Sequence, residues 1–282
     1  MDVTNLSGKT AVVTGAGSGI GKETALAFAR RGASLGLCDV NEAGLEETTR
    51  QARALGCEVL ARRVDVANRD EMSDFAAAVH QQVAAADIVM NNAGVGLAAG
   101  FLDTSPADWD WVLGINLCGV VYGCQFFIPP MVARGQGGHI INVASSAAFV
   151  ATSALAAYST TKFAVLGLSE ALREELAPHR ISVTAVCPGV INTGITTSSR
   201  RRGIFASAGA SQQMIDLFRR RNYGPERVAS NILKAVQRNR AVAPISPEAW
   251  MLYYLKRFTP SVLARINRAM SETMRRRLGN LS

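Results

Sequence analysis

Tyr158 and Lys162 stand four residues apart in Ala156–Ala177, a stretch whose apolar spacing predicts a helix. Four residues is just over one helical turn, so both side chains fall on one face. A phenol ionises near pH 10 and is a poor proton catalyst at neutral pH. A neighbouring ammonium favours the phenolate and moves it toward the range that general acid–base chemistry needs. A second signal lies near the start of the chain. The glycine-rich run Thr14-Gly15-Ala16-Gly17-Ser18-Gly19-Ile20-Gly21 follows an apolar strand-like segment and opens a helical one. Gly15 allows a sharp turn, and Gly19 and Gly21 let backbone approach a pyrophosphate. The helix N-terminus there offers free N–H groups to phosphates. Asp39 ends the next strand-like run, 18 residues past Gly21. A carboxylate at that distance can accept both ribose hydroxyls of an adenosine and repels a 2′-phosphate. Ser34–Asn41 contains no Arg or Lys, so NAD is favoured over NADP.

Each signal has a plainer reading: a tyrosine and lysine on a helix surface, a structural turn, a loop aspartate. The elements that would position them decide in favour of chemistry. Strand-like runs at Thr10–Thr14, Ser34–Cys38, Glu58–Val64, Asp87–Met90, His139–Val143 and Ile181–Cys187 alternate with helical stretches at Gly19–Arg31, Glu42–Leu55, Arg69–Ala85, Pro106–Ala133 and Ala156–Ala177. The strand runs are apolar on both faces. This predicts an α/β fold with a doubly wound parallel sheet, covered on both sides by helices. A shorter strand, Ala241–Pro244, follows a helical stretch at Pro225–Gln237. The expected organisation is one domain over residues 1–244 and a basic helical extension over 245–282, broken at Pro260.

In this arrangement the chain resembles the short-chain dehydrogenase/reductase family, through an ordered series of motifs over about residues 8–244. TGAGSGIG at 14–21 is similar to that family's TGxxxGxG, and Asn91-Asn92-Ala93-Gly94 to its NNAG. Asp65-Val66 matches its adenine-side aspartate, and Pro188-Gly189 with Thr193 its nicotinamide-side PGxxxT, which brings in Ile191. Asn116, Ser145, Tyr158 and Lys162 match its catalytic set; Ser145 rather than Ser146 stands 13 residues before the tyrosine. The resemblance implies a Rossmann fold and hydride transfer between NAD and a secondary alcohol or ketone, with alcohol oxidation the favoured direction. Tyr158 would move the proton, Lys162 lower its pKa and hold ribose, Ser145 hold the substrate oxygen, and Asn116 hold a relay water. In this family the segment after PG closes over substrate. Here it offers Ile195, Ile204, Phe205, Met214, Leu217 and Phe218 as apolar area, ringed by Arg200–Arg202 and Arg219–Arg221. An apolar substrate (steroid, terpenoid, fatty or cyclic) fits, as would one with an acidic head. A catalytically silent dinucleotide sensor, or a membrane-associated binding protein of the same fold, is the alternative.

The chain has 282 residues, of which 48% are hydrophobic and 18% charged. That composition excludes disorder as the dominant state. No uninterrupted apolar run of 18 residues and no signal-peptide pattern is visible. Five scattered cysteines without a CxxC pair, and three histidines apart from one another, predict no metal site and a reducing, cytoplasmic setting. The net charge of +8 is uneven: residues 200–282 hold 17 Lys and Arg against 4 Asp and Glu. In the tail Leu255, Phe258, Val262, Ile266, Met270 and Met274 recur at helical spacing among basic residues. The stripe is expected to pack on its own domain or a sister subunit, with an anionic membrane surface as the second occupant. Nucleic acid is not expected, since aromatics do not interleave with the charges. The helices over 106–133 and 156–177 are apolar on more than one side, through Leu113, Val120 and Phe127 and through Phe163, Leu166 and Leu172. Such helices need cover on several sides; the resemblance implies that they pair about two-fold axes, so a homotetramer is expected, with a dimer next.

Overall fold

Seven parallel strands hydrogen-bond in the order β3-β2-β1-β4-β6-β7-β9 in the computed structural model. The structure describes residues 1–192, 199–207, 209, 212, 216 and 221–279, without the side chains of 270, 271 and 273–279. The strands are β1 (Thr10–Thr14), β2 (Ser34–Asp39), β3 (Val59–Arg63), β4 (Ile88–Asn91), β6 (Gly138–Val143), β7 (Ile181–Cys187) and β9 (Val242–Pro244). Every residue of β1 and β4 is buried, as the unbroken apolar runs require of a sheet covered on both faces. One face carries α1 (Gly19–Ala29), α2 (Glu42–Ala54) and α7 (Pro225–Gln237), and its core includes Leu26, Phe28, Val228, Ile232 and Val236. The other carries α3 (Arg69–His80), α5 (Gly119–Arg134) and α6 (Ala156–Leu176) around Phe75, Phe127, Met131 and Val165. Strand order reverses between β1 and β4, whose register pairs Val13 with Met90. The crevice beyond the carboxyl ends of these two strands is where such sheets bind ligands.

Helix starts follow local chemistry. Asn68 caps α3, accepting from the amides of Asp70 and Glu71, while Glu71 reaches back to the Asn68 side chain and the Asp65 amide. Ser105 caps α4 (Pro106–Leu113), with Pro106 in its first turn.

Three features depart from the sequence expectations. The helix expected over 106–133 is divided: a wider π-helical turn, Gly114–Cys118, separates α4 from α5. The helix expected to reach Ala85 ends at His80. A second, two-stranded parallel sheet joins β5 (Leu97–Ala98) to β8 (Arg200–Arg201), pairs too short to register as periodicity. The tail forms α8 (Pro247–Phe258) and α9 (Pro260–Gly279), parted at Thr259 as the proline requires.

Candidate active site

The glycine turn between β1 and α1 is shaped by exclusion. Gly15 has φ +66°, and a Cβ there would come within 2.8 Å of the Ala93 backbone. A Cβ on Gly21 would run into the Gly15 carbonyl, so the helix presses on the turn as only glycine permits. Asn92 pins the turn: its Nδ2 donates to the carbonyls of Thr14 (2.9 Å) and Gly15 (3.1 Å). Thr14 Oγ1 accepts from the amides of Asn92 and Ala93 in return. Thr14 and Asn92 thus bind the TGxxxGxG and NNAG motifs to each other, a contact that neither motif shows by itself. Asn91 is buried, and its Nδ2 donates to Asn142 Oδ1 at 2.9 Å, joining β4 to β6 beneath the crevice.

Ser18, preceding α1, is exposed, and its side chain makes no capping hydrogen bond. The first turn of α1, with Gly19, Ile20 and Gly21, holds no acid. Its amides and positive dipole end are therefore available to an anion. Asp39 closes the turn from the side, accepting from Gly17 N and Asn41 N, each at 2.8 Å. Asp65 Oδ1 accepts from Ala67 N at 2.9 Å, and Val66 is buried against Gly119. These residues fit a dinucleotide: a close-approach turn, an uncapped helix end, and a carboxylate where a ribose would lie.

Two of the four residues expected to be catalytic, Asn116 and Lys162, lie beside Gly94. Lys162 is 4% exposed and Asn116 fully buried. A Cβ on Gly94 would lie 3.2 Å from Asn116 Oδ1 and 3.5 Å from Lys162 Nζ. Asn116 sits in the π-helical turn and bonds Val95 twice, accepting from its N–H at 2.8 Å and donating to its carbonyl at 2.9 Å. Lys162 Nζ donates to the Val143 carbonyl at 3.0 Å. Burial pushes its ammonium down to about 8. Ser145 follows β6 in extended backbone, partly exposed, with its Oγ accepting from Ala147 N.

Tyr158 is half-buried and hydrogen-bonded with Ser145. Burial raises its phenol above the usual value, and the hydrogen bond with Ser145 lowers it. Lys162 Nζ lies over the Tyr158 ring, 5.7 Å from its centroid, while bonded to the Val143 carbonyl.

On the far side, Pro188 accepts from Ser146 N at 2.7 Å, and Ile191 is buried. A Cβ on Gly189 would meet Ser246 and Glu248, and Glu248 Oε1 accepts from Val190 N at 3.1 Å. Glu248 opens α8, so the tail is tied to the site from its first turn. Nothing in the sequence marked it, because its partner lies 58 residues away. Thr193, Ile195, Met214, Leu217, Phe218, Arg219 and Arg220 lie outside the described residues. Phe205 is buried with Ala98, packed on Ala154 and Leu155. Arg200 and Arg202 do not ring the site as expected: both turn to Asp108.

The short chain dehydrogenase family model matches residues 9–203. The chain belongs to this family. Relatives include the protein named probable oxidoreductase EphD of Mycobacterium tuberculosis, 42% identical over 259 residues, which are 89% of this chain and 43% of EphD. The chain thus spans less than half the length of that relative. SadH of the same species is 36% identical over 268 residues, 94% of this chain and 95% of SadH. Among solved structures, a short-chain dehydrogenase/reductase from Burkholderia phymatum in complex with NAD is 31% identical, with a TM-score of 0.82. The match covers 90% of this chain and 94% of that one.

Part of the tail stripe faces outward. Phe258, Val262 and Ile266 are exposed and Leu255 is half-buried, while the Met270 and Met274 side chains lie outside the described residues. The inward face is Ala249, Tyr253 and Leu263, with Tyr253 meeting Phe149 edge to face at 5.3 Å. Asn267 Nδ2 donates to the Ala151 carbonyl at 2.6 Å.

Proposed function

We propose that this chain is a NAD(H)-dependent oxidoreductase acting on a secondary alcohol or the corresponding ketone, with an apolar substrate. The observation that carries the reading is the meeting of Tyr158, Ser145 and Lys162 beside a glycine turn with an uncapped helix end. NAD, when bound, supplies the hydride chemistry. Gly15, Gly19 and Gly21 and the α1 amides hold the pyrophosphate, Asp39 the adenosine ribose, and Asp65 and Val66 the adenine. Ala93, Gly94, Pro188, Gly189 and Ile191 line the nicotinamide side.

Ser145 Oγ donates to the substrate oxygen and stabilises charge developing on it. Tyr158 Oη takes the alcohol proton on oxidation and returns it on reduction. Lys162 holds ribose hydroxyls and, charged, stabilises a tyrosinate. Asn116 keeps Lys162 within reach of a water. The Ala98, Ala154, Leu155 and Phe205 cluster supports an apolar substrate, and a relative named estradiol 17-beta-dehydrogenase 11, from Macaca fascicularis, is 34% identical over 193 residues. Five free thiols fit a reducing, cytoplasmic setting.

The test is a screen of apolar secondary alcohols followed at the nicotinamide absorbance. Tyr158→Phe keeps the ring packing and loses the proton carrier. Turnover should fall by roughly 10²–10⁴ while NAD affinity holds. Near-parental turnover in that variant would sink the mechanism.

A further inference from the structure

Asp108, on α4, is a buried charge outside the tyrosine cleft. Its side chain is 2% exposed and densely bonded. Arg202 grips it as a fork, Nε to Oδ2 at 2.9 Å and Nη2 to Oδ1 at 2.8 Å. Arg200 Nη1 donates to Oδ1 at 3.3 Å, and Ser105 Oγ to Oδ2 at 2.9 Å. The Arg200 guanidinium also lies over the Trp111 ring, 3.9 Å from its centroid. The Arg202 hydrogen bonds, outweighing burial, hold the Asp108 carboxyl below the usual carboxylate range. With the arginine ends 39% and 42% exposed, solvent screens the pair and its net stabilisation is modest. What a fork adds is a fixed position.

The position it fixes is that of β8 and the turn after it. Arg200 N donates to Gly96 O and Arg202 N to Ala98 O, both at 3.0 Å. Three residues beyond Arg202, Phe205 is 6% exposed and packs with Ala98, Ala154 and Leu155. Ala99 N donates to Ala154 O at 2.9 Å. The Leu155 carbonyl accepts from Ser159 N at 2.7 Å, in the first turn of α6 beside Tyr158. A continuous chain of bonded groups thus runs from Asp108 through β8 and β5 to the turn that carries Tyr158.

We propose that Asp108 is a positioning residue for substrate: by clamping Arg202 and Arg200 it sets the Phe205–Leu155 wall against Tyr158. The inference rests on the oxidoreductase reading for its kinetic test, and on backbone exchange for a test independent of activity. The clamp also uses two of the arginines nearest that wall, which leaves them turned away from any acidic head on a substrate.

The experiment compares the parent 282-residue chain with Asp108→Asn, which keeps size and removes the charge. If that variant fails to fold, Arg202→Gln alters the clamp at its 42% exposed end. The KM for an apolar alcohol should rise roughly 3- to 30-fold, with NAD affinity and the pH profile unchanged. Amide exchange at Arg200, Arg202 and Ala99 should accelerate by a similar factor while β1 and β4 keep their protection. Arg202→Lys, which keeps the charge and loses the fork, should fall between parent and Arg202→Gln. A variant that melts lower but keeps both its alcohol KM and this amide protection would overturn the clamp. So would faster exchange with an unmoved KM. A parent inactive on every alcohol would end the function reading, and exchange alone would then decide whether the clamp exists.

Discussion

Replacing Asp39 with alanine tests the adenosine end of the site in numbers. An ionised carboxylate offers about four lone-pair positions. Two are occupied by Gly17 N and Asn41 N, each at 2.8 Å, which leaves about two for the ribose hydroxyls. Removing the two backbone bonds at this partly exposed position costs about 2 kcal/mol. That corresponds to a melting temperature lower by roughly 3–4 °C in a chain of this size. Discrimination against NADP comes from charge. A phosphate dianion brought to about 5 Å of a carboxylate is repelled by roughly 2–6 kcal/mol, depending on local screening. Solvent at the mouth of the crevice selects the lower end, which is about 30-fold in affinity. Calorimetric titration of the parent with each cofactor should therefore show NAD bound at least about 30-fold tighter. In Asp39→Ala NAD should weaken and NADP gain, bringing the two within a few-fold. A parent that binds NADP as well as NAD, or a variant whose ratio does not move, refutes the reasoning.

Lys162→Met should weaken NAD binding as well as turnover, unlike Tyr158→Phe, and binding titration separates the two. It should also change the alkaline stability profile. With Lys162 pushed down to about 8, the unfolded chain takes up a proton between pH 8 and 10.5 that the fold has released. This residue's contribution to stability therefore rises with pH across that window, and melts of Lys162→Met should lack the rise. His139 acts at the acid end. Burial holds it down to about 3, its Nε2 lying 2.8 Å from Thr184 Oγ1, so between pH 6.5 and 3 only the unfolded chain charges. Stability should fall with acidity there, and urea midpoints of His139→Asn should fall less steeply. Phe163 on α6 is 36% exposed, and light scattering should report a tetramer, or failing that a dimer. A stable monomer at micromolar concentration would count against assembly, and flotation with anionic but not neutral vesicles would then assign Phe258 and Ile266 to a lipid surface.

Much of this fold was legible because a buried parallel sheet writes itself as apolar runs. Thr10–Thr14 and Ile181–Cys187 are strands with the bounds their composition predicts. Tyr158 and Lys162 were legible because one helix turn joins them. What stayed hidden depends on pairings between distant residues. Glu248 reaches Val190 and Asp108 reaches Arg202 across 94 residues, and neither carries a local pattern. β5 and β8 are two residues each, below the length at which alternation is visible. Spacing put Lys162 and Tyr158 on one face, but it carried no sign that Lys162 would also bond the Val143 carbonyl.

The wide turn at Gly114–Cys118 has a consequence for how this chain tolerates change in length. Val112, Asn116, Val120 and Cys124 are all buried at intervals of four. A regular helix advances 100° per residue, so three such intervals would carry the last position about 120° out of phase with the first. One surplus residue in the π-helical turn absorbs most of that drift. The segment is in effect a helix with a single letter inserted, and that letter keeps two stretches of one rod reading inward in step. Shortening it by one residue would yield a more regular helix, with either the asparagine or the apolar row beyond it turned toward water.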